Sequence, residues 1–328
     1  MLLPFTRKAV AQLQVVPAAT LRPLLGVALG GGAARGWAHI GVMRELEAEG
    51  LAPDIVAGTS SGAVVGGCYA AGQLDALEDF TRSLTKRRVF GLMDMSFGGG
   101  GLLGGGRLKA HLHAVLGDQL IEDLPRKFAA VAAEIGAGHE IWLTRGRLAD
   151  AMRASYALPG IFEPVKFRGR WLFDGALVNP LPISVCRALG AQVVLAVNLL
   201  SESTGLGGVM MDPPEPAGSR LAPSPDSADS EPTPAARGGF FRRPFSAQET
   251  GAPGIAAVMA DAFNITQDRI SRARLAGDPP DVLLSARLGK IGMFEFHRAA
   301  EMIDIGRDAV RRALPDIRAQ ISAVAGTG

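Results

Sequence analysis

Apolar residues fall in two rhythms along this chain. Leu24–Leu29 is a short unbroken apolar run, and Asp54–Ala57 is another once its first residue is passed. Runs of this length without polar alternation predict strands buried on both faces. Between them, Ala38–Glu49 spaces its apolar side chains by three and four, as one face of a helix does, and the pattern stops at Gly50. An Ala- and Gly-rich stretch of helical character, Ala63–Ala71, follows the second run. The order strand, helix, strand, helix predicts a largely parallel sheet with helices on both faces.

The same two rhythms continue downstream. Leu74–Thr85 and Arg107–Leu116 predict helices, Phe128–Glu134 and Glu140–Thr144 predict strands, and a helix is expected from Leu148. Trp171–Phe173 predicts a strand running into Asp174-Gly175, and Gln192–Asn198 predicts a strongly apolar one. Periodicity then fails. From Ser201 to Pro253 the chain is rich in Pro, Ser, Gly and Ala, a composition with nothing to build a core. Order returns with a helix at Ile255–Ala276, a strand at Asp281–Ser285 and a last helix over Glu295–Ala323, where Met302, Ile305, Ala309, Val310 and Ile317 share a face. The expected organisation is an N-terminal arm (1–22), a main α/β domain (23–200), a mobile insertion or linker (201–253) and a helical block (254–328). That block is too small to bury a core alone, so it is expected to pack on the main domain.

Composition narrows the possible functions. With 328 residues, 48% apolar content and a net charge of +2, the chain reads as a packed globule and not as a disordered or nucleic-acid-coating protein. Lys86-Arg87-Arg88 is too short for a basic stripe and reads as a solvated helix end. Cys68 and Cys186 lie far apart without CxxC spacing, which predicts buried reduced thiols and suits a cytoplasmic location. His111 and His113 diverge on a helix, and no metal site or cofactor is expected. No apolar run reaches the ~18–20 residues of a membrane span. In the arm, Gln12, Gln14 and Pro17 interrupt the weakly apolar stretch after Arg7 and Lys8, which favours a short amphipathic arm over a cleavable signal peptide.

The chemistry concentrates where Ile55-Val56-Ala57 meets Gly58-Thr59-Ser60-Ser61-Gly62. A serine among small residues at a strand-to-helix turn has the form of a nucleophile elbow, with Gly58 and Gly62 leaving room for strained torsions. Ser60 is therefore the candidate nucleophile, and the Ser61 amide a candidate oxyanion donor. Gly30-Gly31-Gly32-Ala33-Ala34-Arg35-Gly36 follows a strand and opens a helix, so its amides are expected to surround an anion. A dinucleotide fingerprint would need glycine where Arg35 stands, and a Walker-type loop would need lysine where Trp37 stands. The oxyanion reading of Gly30, Gly31 and Gly32 fits better, with Arg35 as a loop tether or a cation near a phosphate head group. The base is open on residues alone. His297 stands where a late triad histidine would, His39 lies within the apolar face of its helix, and Asp174 beside Gly175 offers a partly desolvated carboxylate.

Taken together, Gly30-Gly31-Gly32-x-x-Arg35-Gly36, Gly58-Thr59-Ser60-Ser61-Gly62-Ala63 and Asp174-Gly175-Ala176 resemble the patatin-like phospholipase family. Ala154–Pro164 and Asn179-Pro180-Leu181-Pro182 resemble that family's segments before and after its DGA motif. The resemblance spans about Leu24 to Leu199 and, more loosely, the C-terminal helix. It implies a three-layer α/β/α sandwich with a mainly parallel sheet, Ser60 as nucleophile, Asp174 as base, and no catalytic histidine or cofactor. Gly30, Gly31 and Gly32 would frame the oxyanion hole beside Arg35. The implied substrate is a phospholipid or lysophospholipid, with reversible interfacial membrane contact through the arm or through Phe97–Gly106. That glycine-dense segment, holding Leu102 and Leu103, is expected as either a flap for acyl chains or an ordinary loop. Ser61 departs from the alanine common in the family, and the 201–253 insertion has no counterpart in the pattern. The competing expectations are a carboxylesterase or thioesterase on soluble esters, and a non-catalytic adaptor that docks a partner through Ser201–Pro253.

Overall fold

A computed structural model describes residues 22–87, 106–200 and 255–326. The expected arm up to Leu21, the 201–253 insertion and the glycine-dense segment up to Gly105 lie outside these residues. In chain order the first elements are strand β1 (Leu25–Leu29), helix α1 (Ala38–Ala48), β2 (Ile55–Thr59), α2 (Ser61–Ala70), α3 (Leu74–Arg82) and α4 (Gly106–Leu116). Then come β3 (Lys127–Glu134), β4 (Glu140–Leu143), α5 (Leu148–Ser155), β5 (Val165–Phe167) and β6 (Arg170–Asp174). The last are α6 (Ile183–Ala188), β7 (Val193–Asn198), α7 (Ile255–Gly277), β8 (Val282–Ser285) and α8 (Ala299–Ala325).

One eight-stranded sheet organises these elements. β1 lies between β2 and β7 and is parallel to both, while β3 pairs parallel with β2 and β8 parallel with β7. β4 and β6 pair antiparallel with β3, and β5 antiparallel with β6. Side chains alternate as the pleat requires. Leu25, Val27 and Leu29 of β1 join a core with Met43 of α1, Val65 of α2 and Ile303 of α8. Ala28 turns to the opposite face, where Ala57, Ala129 and Ala196 make a shallow floor for Ile183 and Val185 of α6. Leu275 of α7 packs against that second layer. Helices thus cover both faces, and the sheet is the middle layer of an α/β/α sandwich.

The C-terminal helix is locked to the first one by two glycines. A Cβ on Gly41 would fall on the Ile303 carbonyl, and one on Gly306 would fall on the Ala38 carbonyl, so the backbones of α1 and α8 touch where they cross. Beside the crossing, buried Glu45 accepts from Arg311 Nε at 2.7 Å. α8 starts later than the sequence predicts. Phe296–Arg298 forms a separate 3-10 turn ahead of it. β5 has no counterpart in the sequence pattern. It spans three residues and joins β6 through Arg168 and Gly169, whose φ values are 47° and 84°, a tight turn that puts a non-glycine residue in the left-handed region.

Candidate active site

Strand register alone brings the two candidate residues together. Val131 of β3 pairs with Thr59 of β2 and with Trp142 of β4, so β2 and β4 occupy opposite edges of β3. The next residue, Ala132, pairs with Ile141 of β4 and with Asp174 of β6, so β6 continues along the edge that β2 has just left. Ser60 follows Thr59, and Asp174 closes β6. Two segments far apart in sequence therefore end side by side.

Ser60 carries the turn between β2 and α2 with φ 56° and ψ −122°, a strained conformation for a residue with a side chain. Its neighbours must be small for this to occur. A Cβ on Gly62 would meet the Leu29 carbonyl, and one on Gly58 would meet the Gly62 carbonyl. The turn also takes the Ser60 amide out of the sheet ladder. Ser155, fully buried on α5, restores its partner: Ser155 Oγ accepts from Ser60 N–H at 2.9 Å and donates to the Val131 carbonyl. Thr59 Oγ1 donates to the Asn179 carbonyl at 2.8 Å, fixing the strand just before the turn.

Ser60 Oγ donates to Asp174 Oδ2 at 2.6 Å. The other carboxylate oxygen, Oδ1, accepts from the Ala176 amide at 2.9 Å. Asp174 is 1% exposed, and burial pushes its carboxyl up to about 7 although both hydrogen bonds favour the charged form. Gly175 is required beside it because a Cβ there would collide with the Val131 carbonyl.

The glycine loop faces the serine but divides its work differently from the expectation. The Gly30 amide donates to the Val197 carbonyl at 3.2 Å and the Gly31 amide to the Pro180 carbonyl at 2.9 Å. Those two amides are spent on the scaffold, so Gly30 and Gly31 shape the space and do not offer donors to it. The Gly32 and Ser61 amides donate to no protein acceptor among the described residues, and both residues line the cavity at Ser60. Gly36 is needed for close approach, since a Cβ there would fall on the Ser61 side chain. Arg35 acts as a tether: its Nε donates to the Ile291 carbonyl at 2.8 Å.

Neither histidine considered as a base reaches Ser60 Oγ. His297 sits in the turn before α8, and it is the adjacent Phe296 that lines the cavity. His39 is fully buried with its Nε2 2.7 Å from the Gly30 carbonyl, and burial lowers its pKa to about 4. A neutral ring donating from Nε2 to that carbonyl braces the glycine loop. The rest of the cavity is greasy, walled by Phe80, Leu108, Phe162, Phe263, Phe294 and Phe296. Ser155, Phe263 and Gln267 were not singled out from the sequence. Ser155 sits within Ala154–Pro164, but nothing in that segment marks which side chain turns inward. Phe263 and Gln267 come from α7, beyond the region of resemblance.

Among the described residues, no His, Cys, Asp or Glu cluster is arranged to hold a metal ion, and no helix is long and apolar enough to cross a membrane.

The family description "Patatin-like phospholipase" matches residues 27–187. An uncharacterized NTE family protein of Mycobacterium tuberculosis is 33% identical, over 89% of this chain and 91% of its own length. A second such protein from that organism is 30% identical over 89% of this chain, which spans only 47% of it. Patatin-like phospholipase domain-containing protein 6 of Mus musculus is 32% identical over 54% of this chain and 14% of its own length.

Proposed function

Since the chain belongs to the patatin-like phospholipase family, a hydrolase family, we propose that it cleaves acyl esters of phospholipids or lysophospholipids by a Ser60–Asp174 dyad. The observation that carries this reading is the 2.6 Å hydrogen bond from Ser60 Oγ to a buried Asp174 carboxylate, at a strained elbow facing an apolar cavity.

In this reading Ser60 Oγ attacks the ester carbonyl carbon as its proton passes to Asp174 Oδ2. The carbonyl oxygen becomes an oxyanion, which the Ser61 and Gly32 amides and the N-terminal end of α2 stabilise in this reading; that neither amide donates to a protein acceptor among the described residues supports it. The tetrahedral species collapses, Asp174 returns the proton to the departing alcohol, and the acyl group stays on Ser60. Water then attacks the acyl-enzyme while Asp174 takes its proton. Collapse releases the fatty acid, and Asp174 returns the proton to Ser60 Oγ, restoring both residues. The base has to be ionised to begin, and its raised pKa sets the acid limb of the rate profile. Activity is expected to rise as pH passes through about 7.

Turnover of p-nitrophenyl butyrate and lysophosphatidylcholine, with fluorophosphonate labelling, tests this on wild type, Ser60→Ala and Asp174→Asn. Losses of at least ~10³-fold in both variants, with no labelling of Ser60→Ala, are expected. Undiminished turnover in Ser60→Ala would sink the mechanism. Membrane contact is proposed as interfacial and reversible, read as a jump in turnover on micelles or vesicles over monomeric substrate.

A further inference from the structure

The cavity contains a polar group that the dyad does not use. Gln267 of α7 is 2% exposed, and its Oε1 has no hydrogen-bond donor among the described residues. It sits at the reacting centre. A Cβ placed on Gly31 would lie 2.9 Å from Gln267 Oε1 and 3.6 Å from Ser60 Cβ, so amide and nucleophile flank the same point of the glycine loop.

This placement is enforced. Arg274, seven residues further along α7 and hence about two turns away on the same face, donates from Nη2 to Glu140 Oε2 at 2.7 Å and to the Val178 carbonyl at 2.8 Å. Glu140 Oε1 in turn accepts from Asn179 Nδ2 at 2.6 Å, and the Asn179 carbonyl accepts from Thr59. The helix is thereby tied to the segment after Asp174 and to the strand that delivers Ser60. Gln267 is presented to the ester site by a rigid element.

A buried acceptor among phenylalanines is unfavourable unless a bound molecule supplies a donor. A fully acylated glycerol backbone has no O–H beside the scissile ester. A monoacyl one has a hydroxyl on the adjacent carbon. We propose that Gln267 Oε1 accepts a hydrogen bond from the hydroxyl vicinal to the scissile ester, making Gln267 a specificity-determining contact for monoacyl glycerolipids such as lysophospholipids. The inference rests on the Ser60 hydrolase reading and names its substrate more narrowly.

The test compares kcat/KM for 1-acyl lysophosphatidylcholine and its 2-deoxy analogue, in wild type and Gln267→Met, a substitution that keeps side-chain length without an amide. Wild type is expected to favour the hydroxylated lipid by about tenfold, and the ratio to fall close to one in the variant. Both rates come from one preparation, so any loss of folded enzyme divides out. An unchanged ratio would overturn the proposal, whether or not both rates fall together. If wild type cleaves neither lipid while Ser60 still reacts with a fluorophosphonate, the lipid reading falls and this inference with it. Cleavage of both lipids at equal rates by wild type removes only the present inference.

Discussion

At Asp174 burial and hydrogen bonding pull in opposite directions, and burial wins, holding the carboxyl near 7 against a usual value of 3.8. A folded-state pKa above the unfolded one means that the folded protein binds the extra proton between those values. Stability contributed by this group is therefore present in acid and lost as pH rises towards 7. The site is a strained device that the rest of the fold must support. Asp174→Asn removes the charge and keeps the shape, so it is expected to raise Tm by several degrees near pH 8 and by clearly less near pH 5. Calorimetry at the two pH values checks this, and a lower Tm at pH 8 would contradict it. Ser60 stands out in the sequence because small residues surround it at a turn, whereas Asp174 is one of three candidate bases until the family resemblance singles it out. Ser155 and His39 brace the site through hydrogen bonds to backbone, and such partners depend on how α5 and α1 lie over the sheet, which no local pattern encodes.

Strands β1, β2, β3 and β7 could be read because each is a continuous apolar run buried between helices. β5 escaped because three residues give no period to read, and its turn uses Arg168 where glycine would be the signal. Helix faces were legible, but not what they meet. The pattern in α8 marks Met302, Ile305 and Ala309, while Gly306, which decides how closely α1 and α8 approach, looks like an interruption of that same pattern. Gly306→Ala is expected to force the crossing apart and to cost about 1–3 kcal/mol, as overpacking in a tight interior does. It would lower the urea midpoint at unchanged m. A midpoint equal to wild type would mean that the helices have room to separate.

Over the whole molecule, the family-matching region supplies Ser60, Asp174 and the glycine loop, while α7 and the turn before α8 supply part of the cavity wall. The C-terminal block is accordingly part of the wall of the cavity at Ser60 as well as a cover for the sheet. That role was invisible in its sequence, since Phe263 and Gln267 look like ordinary members of an amphipathic helix.

The meeting of β2 and β6 along one edge of β3 also has a temporal side. Ser60 and Asp174 are separated by more than a hundred positions, and they are aligned by two pairings on neighbouring residues of β3, Val131 with Thr59 and Ala132 with Asp174. A slip of one residue would turn Asp174 to the opposite face. The dyad is thus a clock for this ladder, since long-range pairings close late against loop entropy. During refolding from urea, fluorophosphonate labelling of Ser60 is expected to lag behind the far-UV circular dichroism signal. Labelling that returned with the first helices would mean that the serine is activated before its register is set.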